Sequence, residues 1–182
     1  MRPLLFFLSV GFALAATRPT VYFIRHGEKP RDHDDPYLSP RGEKRAQCIR
    51  KVFGSASDYN IGHIMAQKPR RNGHRRRPMD TVAPLAADLG LEVDISCRKK
   101  DMECVRDVVE NYNGKGNILI CWEHKRIKKI AKELGGRHLD KYPRSAFDLI
   151  WVDPYPYDEI TEVRSEHCPG LDDEEDDMST ML

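Results

Sequence analysis

Two histidines, each following an apolar run, are the residues whose types and spacing could do chemistry. Val21-Tyr22-Phe23-Ile24 breaks off into Arg25-His26-Gly27-Glu28, and Ile118-Leu119-Ile120-Cys121-Trp122 breaks off into Glu123-His124-Lys125. Between them lies an arginine-dense stretch with Arg70, Arg71, Arg75, Arg76 and Arg77. An imidazole beside a guanidinium, with a glycine that lets the backbone come close, suits attack on an anionic phosphorus centre. Alone, a histidine after a strand is more often a surface or satisfied residue; its combination with Arg25, Gly27 and the distant His124 is the specific signal. The arginine run also reads as a solvated basic loop or a nucleic-acid contact.

These residues need elements to carry them. The run at 21–24, strong in strand preference and closed by Gly27, predicts a buried strand ending in a tight turn, with its charged residues in the crevice beyond the strand end. Ser39 is placed as an N-cap with Pro40 at the first helical position, opening a helix that puts Ala46, Ile49 and Phe53 on one side. A short strand follows at 61–67, then a helix at 78–89 closed by Gly90. A third strand is predicted at 91–95 and a third helix at 101–112. The clearest strand, 117–122, precedes a helix at 126–134 that stops at Gly135-Gly136, and 147–152 supplies a last core strand. Strands alternating with helices predict an α/β fold, a three-layer α/β/α sandwich with a mainly parallel central sheet.

Length and composition bound the class. Residues 1–16 carry a basic Arg2, an apolar run and small residues at Ala13, Ala15 and Ala16, the layout of a secretory signal peptide cleaved near Ala15 or Ala16. The apolar run is short for a membrane span; an uncleaved anchor or a buried helix is the competing reading. About 165 residues then remain, enough for one domain with a real core. The full chain has 30 Lys and Arg against 29 Asp and Glu. Removing Arg2 brings it to balance, with no overall bias toward nucleic acid and none toward a membrane after cleavage.

Five cysteines, Cys48, Cys97, Cys104, Cys121 and Cys168, are an odd number. In an oxidising compartment Cys97 and Cys104 are the most credible pair, since they flank a short charged loop. Cys121, in an apolar run, reads as a buried thiol, and Cys48 with Cys168 is an open option. No CxxC or repeated Cys/His spacing points to a metal site. The run from Asp172 to Asp177 is an acidic block without periodicity, so 169–182 reads as a disordered tail after a domain spanning 17–168.

Four blocks in this order, Phe23-Ile24-Arg25-His26-Gly27-Glu28, Leu38-Ser39-Pro40-Arg41-Gly42, Arg77-Pro78-Met79-Asp80-Thr81 and Trp122-Glu123-His124, resemble the histidine phosphatase superfamily, also called phosphoglycerate mutase-like. The ending, Ser165-Glu166-His167-Cys168-Pro169-Gly170-Leu171-Asp172, looks like that of small secreted fungal members. The resemblance implies a metal-independent, cofactor-free phosphatase that passes through a phosphohistidine on His26. It implies phosphate clamping by Arg25, Arg77 and His124, with Arg77 singled out of the run by its Arg-x-x-x-Thr spacing to Thr81, and with Glu28 beside the substrate. For the general acid the resemblance offers Asp101, with Glu103 and Glu28 as alternatives; Asp101 equally reads as a helix cap. A phosphorylated small molecule or a phosphoprotein is the expected substrate. The spacing leaves little room for a lid, which favours hydrolysis over mutase-like transfer to a bound acceptor. A catalytically weak secreted protein that only binds phospholigands is the rival from another class, and the oligomeric state is left open.

Overall fold

The computed structural model describes residues 18–32 and 34–172. The expected signal peptide and the acidic run beyond Asp172 lie outside these residues. Ten elements follow in order: β1 (Val21–Arg25), α1 (Pro40–Val52), β2 (Ile61–Ala66), α2 (Arg77–Leu89), β3 (Val93–Asp94), α3 (Met102–Asn111), β4 (Asn117–Trp122), α4 (His124–Leu134), β5 (Leu149–Asp153) and β6 (Glu162–Ser165). The strands form one sheet in the order β3-β2-β4-β1-β5-β6.

Alternation along the central strands builds the three layers. Val21 and Phe23 of β1, with Ile118, Ile120 and Trp122 of β4, face Val105 and Val109 of α3 and Ile127 and Ile130 of α4. Tyr22 and Ile24, with Leu119 and Cys121, face Ile49 of α1 and Val82 and Leu85 of α2. Both faces of β1 and β4 are therefore buried, which is why these segments read as continuous apolar runs rather than alternating ones.

β1 pairs with β4 in parallel, β4 with β2 and β2 with β3 likewise. The expected mainly parallel sheet is present, with one qualification. β5 runs antiparallel to β1, and β6 antiparallel to β5, so one flank closes as a hairpin-like edge. β6 has the sequence Glu-Val-Arg-Ser and is mostly exposed, so it carries no hydrophobic pattern from which to predict it. The third strand shrinks from the expected 91–95 to Val93–Asp94.

Helix starts differ more consequentially. α2 begins at Arg77 and α4 at His124, two residues earlier than the expected 126. Ser39 caps α1 as expected, its side chain accepting from the Gly42 N–H at 3.1 Å. Among the described residues no helix is long and apolar enough to cross a membrane.

Cys97 bonds to Cys104 and Cys48 to Cys168, while Cys121 is a buried free thiol. The second bridge fastens the end of the described chain to α1. There Arg45, 1% exposed, binds Glu28 at 2.8 Å, Glu166 at 2.7 Å and Asp172 at 2.7 Å. The packed part of the chain thus reaches Asp172, beyond the expected boundary at 168.

Candidate active site

β1 lies in the middle of the sheet between β4 and β5, so its carboxyl end opens between the loop that follows β4 and the loop that precedes the antiparallel β5. The His26 N–H still donates to the Trp122 carbonyl at 3.2 Å, which extends the β1/β4 pairing one residue past the strand and fixes where the imidazole stands. Its Nδ1 is 2.7 Å from the Gly27 carbonyl oxygen. A carbonyl only accepts, so Nδ1 carries the proton and Nε2 keeps its lone pair. Burial, reinforced by the charges of Arg25 and Arg77 and only partly offset by the Gly27 carbonyl, pushes the imidazole down to about 4. His26 is neutral at any ordinary pH.

The turn after it is held by close backbone approach. A Cβ on Gly27 would lie 2.9 Å from the Gly42 carbonyl oxygen, so the turn packs directly on the first turn of α1. The Gly27 N–H donates to Thr81 Oγ1 at 2.9 Å, and the same hydroxyl donates to the Arg77 carbonyl at 2.7 Å. This bridge gives the Arg-x-x-x-Thr spacing its physical meaning: one helical turn places Thr81 under Arg77, and its hydroxyl ties the start of α2 to the turn that bears His26.

Both arginines are held by neutral acceptors. Arg25 Nη1 donates to the carbonyls of Arg144 at 2.8 Å and Ala146 at 2.7 Å, and its guanidinium lies 3.6 Å above the Phe147 ring centre. Arg77 donates through Nε to the Tyr37 carbonyl at 2.7 Å and through Nη2 to the Asp35 carbonyl. Carbonyls fix the forks without neutralising them. Burial accordingly lowers the Arg25 guanidinium to about 10 and moves Arg77 downward too. Two positioned and uncompensated cations constitute a built anion site.

His124 opens α4 beside them. Burial and then the nearby Arg25 charge lower its imidazole, and its Nδ1 is buried without a partner. Ser39 and Asp101 cap α1 and α3 with their side chains, whereas α2 and α4 have no side-chain cap. The two uncapped helices are the ones whose first turns line the cleft, so their free N–H ends add to its pull on an anion.

Arg25, His26, Arg77 and His124 line one open cleft of about 480 Å³. The other expected residues are elsewhere. Asp101 caps α3, exposed, accepting from the Cys104 N–H at 3.2 Å, and is not part of the cleft wall. Glu103 is exposed and pairs with Arg106 at 3.3 Å. Glu28 is turned away toward α1, where Arg45 holds both its oxygens. The disulfide across 97–104 ties the preceding loop to the first turn of α3, the helix start that Asp101 caps.

Among the described residues the one carboxylate on the cleft wall is Glu123. Burial would raise it, but the Lys99 ammonium at 2.6 Å outweighs burial and holds it below the ordinary range, ionised. Sequence reasoning gave no role to Phe147, Arg144, Lys99 or Gln67. Gln67, just past the end of β2, had a signal in that strand-end position; Phe147 and Arg144 had none, because they meet Arg25 from 119 or more residues away. Glu166, Cys168 and Asp172 come close enough together to suggest a cation site. Their donors are already used by Arg45 and by the Cys48–Cys168 bridge, so they do not fit one.

No protein-family profile matches this chain, and no curated protein does. Solved structures do. The protein histidine phosphatase SixA complexed with tungstate superposes with a TM-score of 0.59 at 13% identity, covering 81% of this chain and 97% of that one. SixA from Agrobacterium tumefaciens gives 0.56 at 12% identity, covering 81% and 98%. These structural neighbours are members of the histidine phosphatase superfamily. What the likeness shares is the fold, a mixed α/β domain with a mostly parallel six-stranded sheet.

Proposed function

We propose that this protein is a phosphatase that hydrolyses a phosphoryl group through a covalent intermediate on His26. The observation that carries the reading is a neutral imidazole with its Nε2 lone pair free, set beside two guanidiniums whose hydrogen-bond partners are backbone carbonyls. In the first step Nε2 attacks phosphorus, and the bond to the leaving oxygen breaks with its electron pair going to that oxygen. Arg25, Arg77 and His124 hold the three equatorial oxygens as charge spreads over them. In the second step a water oxygen attacks phosphorus, the P–N bond breaks, and its electron pair returns to Nε2. The water proton passes to solvent through the open cleft.

No acid role falls to Asp101, Glu103 or Glu28 in this scheme. The leaving oxygen takes its proton from solvent, which favours esters whose leaving group departs readily. The state of Glu123 also favours a second reading, that the substrate is a phosphorylated nitrogen, as on a phosphoprotein histidine. A protonated ring departs as a neutral base and needs no acid. SixA, described as a protein histidine phosphatase, agrees with this reading through its shared fold. Transfer to a bound acceptor, as in a mutase, is disfavoured because an open cleft admits water to the phosphoenzyme. The two disulfides further support the proposal that residues 1–16 direct export to an oxidising compartment, as in the small secreted fungal proteins the ending resembles.

The test is turnover of an aryl phosphomonoester in excess chelator by wild type and His26→Ala, with rapid quench at alkaline pH to trap phosphohistidine. Loss of turnover by at least about a thousandfold in the variant, with labelled His26 in wild type, is expected. Undiminished turnover in His26→Ala would sink the proposal. A phosphoramidate turned over far faster than the aryl ester would favour the second reading.

A further inference from the structure

Away from the reacting position, α4 carries a charge pattern that nothing in the described chain answers. Ile127, Ile130, Ala131 and Leu134 bury one side of the helix. On the other, Lys125, Lys129 and Lys132 are exposed and Lys128 is half-buried, so four lysines at i, i+3, i+4 and i+7 form one stripe about 10 Å long. Lys128 donates to a neutral acceptor, the Leu139 carbonyl, and none of the four is in an ion pair among the described residues. Lys125 and Lys129, like Lys128 and Lys132, stand one turn apart, where like charges oppose the helix. The first turn holds no acidic residue, so Lys125 also sits at the helix end whose dipole disfavours a cation. A bound anion removes both penalties.

The stripe borders a groove rather than a flat surface. Residues 141–144 complete a recess of about 600 Å³, adding the charges of Lys141 and Arg144, while Tyr142, Pro143 and the lysine stems make the lining between the charges largely apolar. A small inorganic anion has no use for that apolar part. A segment that combines acidic and apolar side chains matches both.

The chain itself supplies such a segment. Asp173-Glu174-Glu175-Asp176-Asp177 is followed by Met178-Ser179-Thr180-Met181-Leu182. Its root is fixed, since Asp172 binds Arg45 at 2.7 Å and accepts from the Cys168 N–H at 2.9 Å. Leu171 and Asp172 border a recess with residues 145–148, and residues 141–144, directly before them, wall the groove. Ten residues reach about 33 Å when extended, and five carboxylates in an extended run cover about 13 Å, close to the length of the stripe.

We infer that residues 173–182 dock in the groove beside α4 of their own chain, the five carboxylates against Lys125, Lys128, Lys129, Lys132 and Lys141, and Met178, Met181 and Leu182 against the apolar lining. The catalytic cleft is the other basic surface near the root, but its wall is predominantly polar and offers the apolar residues less. Docked beside α4, the acidic block stays off Arg25 and Arg77, and the inference does not depend on the reaction at His26.

The test follows the backbone amides of residues 173–182 by relaxation NMR in the whole protein. It compares wild type with Lys129→Glu/Lys132→Glu, two exposed positions outside the catalytic cleft, and leaves Lys125 and Arg144, which border that cleft, intact. In wild type at low salt the order parameters of these amides should exceed about 0.6, and they should fall well below that value in the variant and in about 0.5 M salt. Adding Glu174→Lys/Glu175→Lys to the variant exchanges the charges across the groove and should restore the order. Low order parameters in wild type would overturn the inference, as would values that the lysine substitutions leave unchanged or that the exchanged charges fail to restore. Order that is lost on adding inorganic phosphate, and not on substituting the lysines, would put the segment in the catalytic cleft. Order that grows with protein concentration would put it on a second copy. Either result also overturns the inference.

Discussion

At the residue scale, His26 works as a base in reserve because its surroundings refuse it a proton. An unperturbed imidazole titrates near 6.5, whereas burial and two guanidiniums bring this one to about 4. In the proposed reaction the neutral form of His26 attacks, so activity should persist as pH falls through 6 and 5 and drop only through about 4. A pH–rate profile corrected for substrate ionisation checks this; an acid limb near 6.5 would contradict it. Asp101 offers the opposite case. It accepts from the first turn of α3 and faces no substrate, so Asp101→Ala should cost about 1 kcal/mol of stability while kcat/KM stays unchanged. Thermal melts beside steady-state kinetics measure both halves. The sequence could nominate Asp101 as an acid because a carboxylate near a strand end suits either task; only the direction of α3 decides between them.

At the element scale, the site depends on where two helices begin. Thr81 belongs to α2, yet its hydroxyl serves both the Gly27 N–H and the Arg77 carbonyl. Thr81→Val keeps the volume and leaves a buried N–H without a partner. It should destabilise the fold by about 1–3 kcal/mol and lower kcat/KM by loosening Arg77 against His26, with Thr81→Ser restoring both. Equal kinetics in the valine variant would show that α2 is positioned without this bridge. The start of α4 at His124 was not legible in the sequence. Glu123 supplies no side-chain cap, and the usual start signals are missing because that helix end is left open to the cleft.

At the scale of the whole molecule, two disulfides tie together segments of the described chain. The Cys48–Cys168 bridge spans 120 residues and the Cys97–Cys104 bridge 7. Loop-closure entropy makes the first worth about 3–5 kcal/mol and the second about 2–3. Cys48→Ser/Cys168→Ser should therefore lower stability more than Cys97→Ser/Cys104→Ser in denaturant titrations. Far from the cleft, Asp153 is fully buried with neither carboxylate oxygen hydrogen-bonded, and burial, then Asp158, pushes it up to about 7. A folded pKa above the unfolded one means that the native state binds the extra proton. Asp153 therefore leaves the fold unburdened below about pH 4 and costs it stability as pH rises through 7. Asp153→Asn should gain about 1–3 kcal/mol above pH 7 and nothing near pH 3, a difference that paired melts at the two pH values would reveal.

By itself the sequence determined the layers and the two histidines that follow central strands. Apolar runs covered on both faces, alternating with helical segments of which two end at glycines, leave few alternatives to a mostly parallel sandwich, and His26 is tied to its strand by sequence adjacency. Tertiary structure decided everything that depends on which segments meet. It turned β5 antiparallel, added an edge strand without a hydrophobic pattern, seated Arg25 on Phe147, and gave Glu28 to Arg45 instead of to the cleft. Such contacts join residues from 17 to more than a hundred positions apart, and their partners are chosen by packing and charge across the folded chain, which local periodicity does not record.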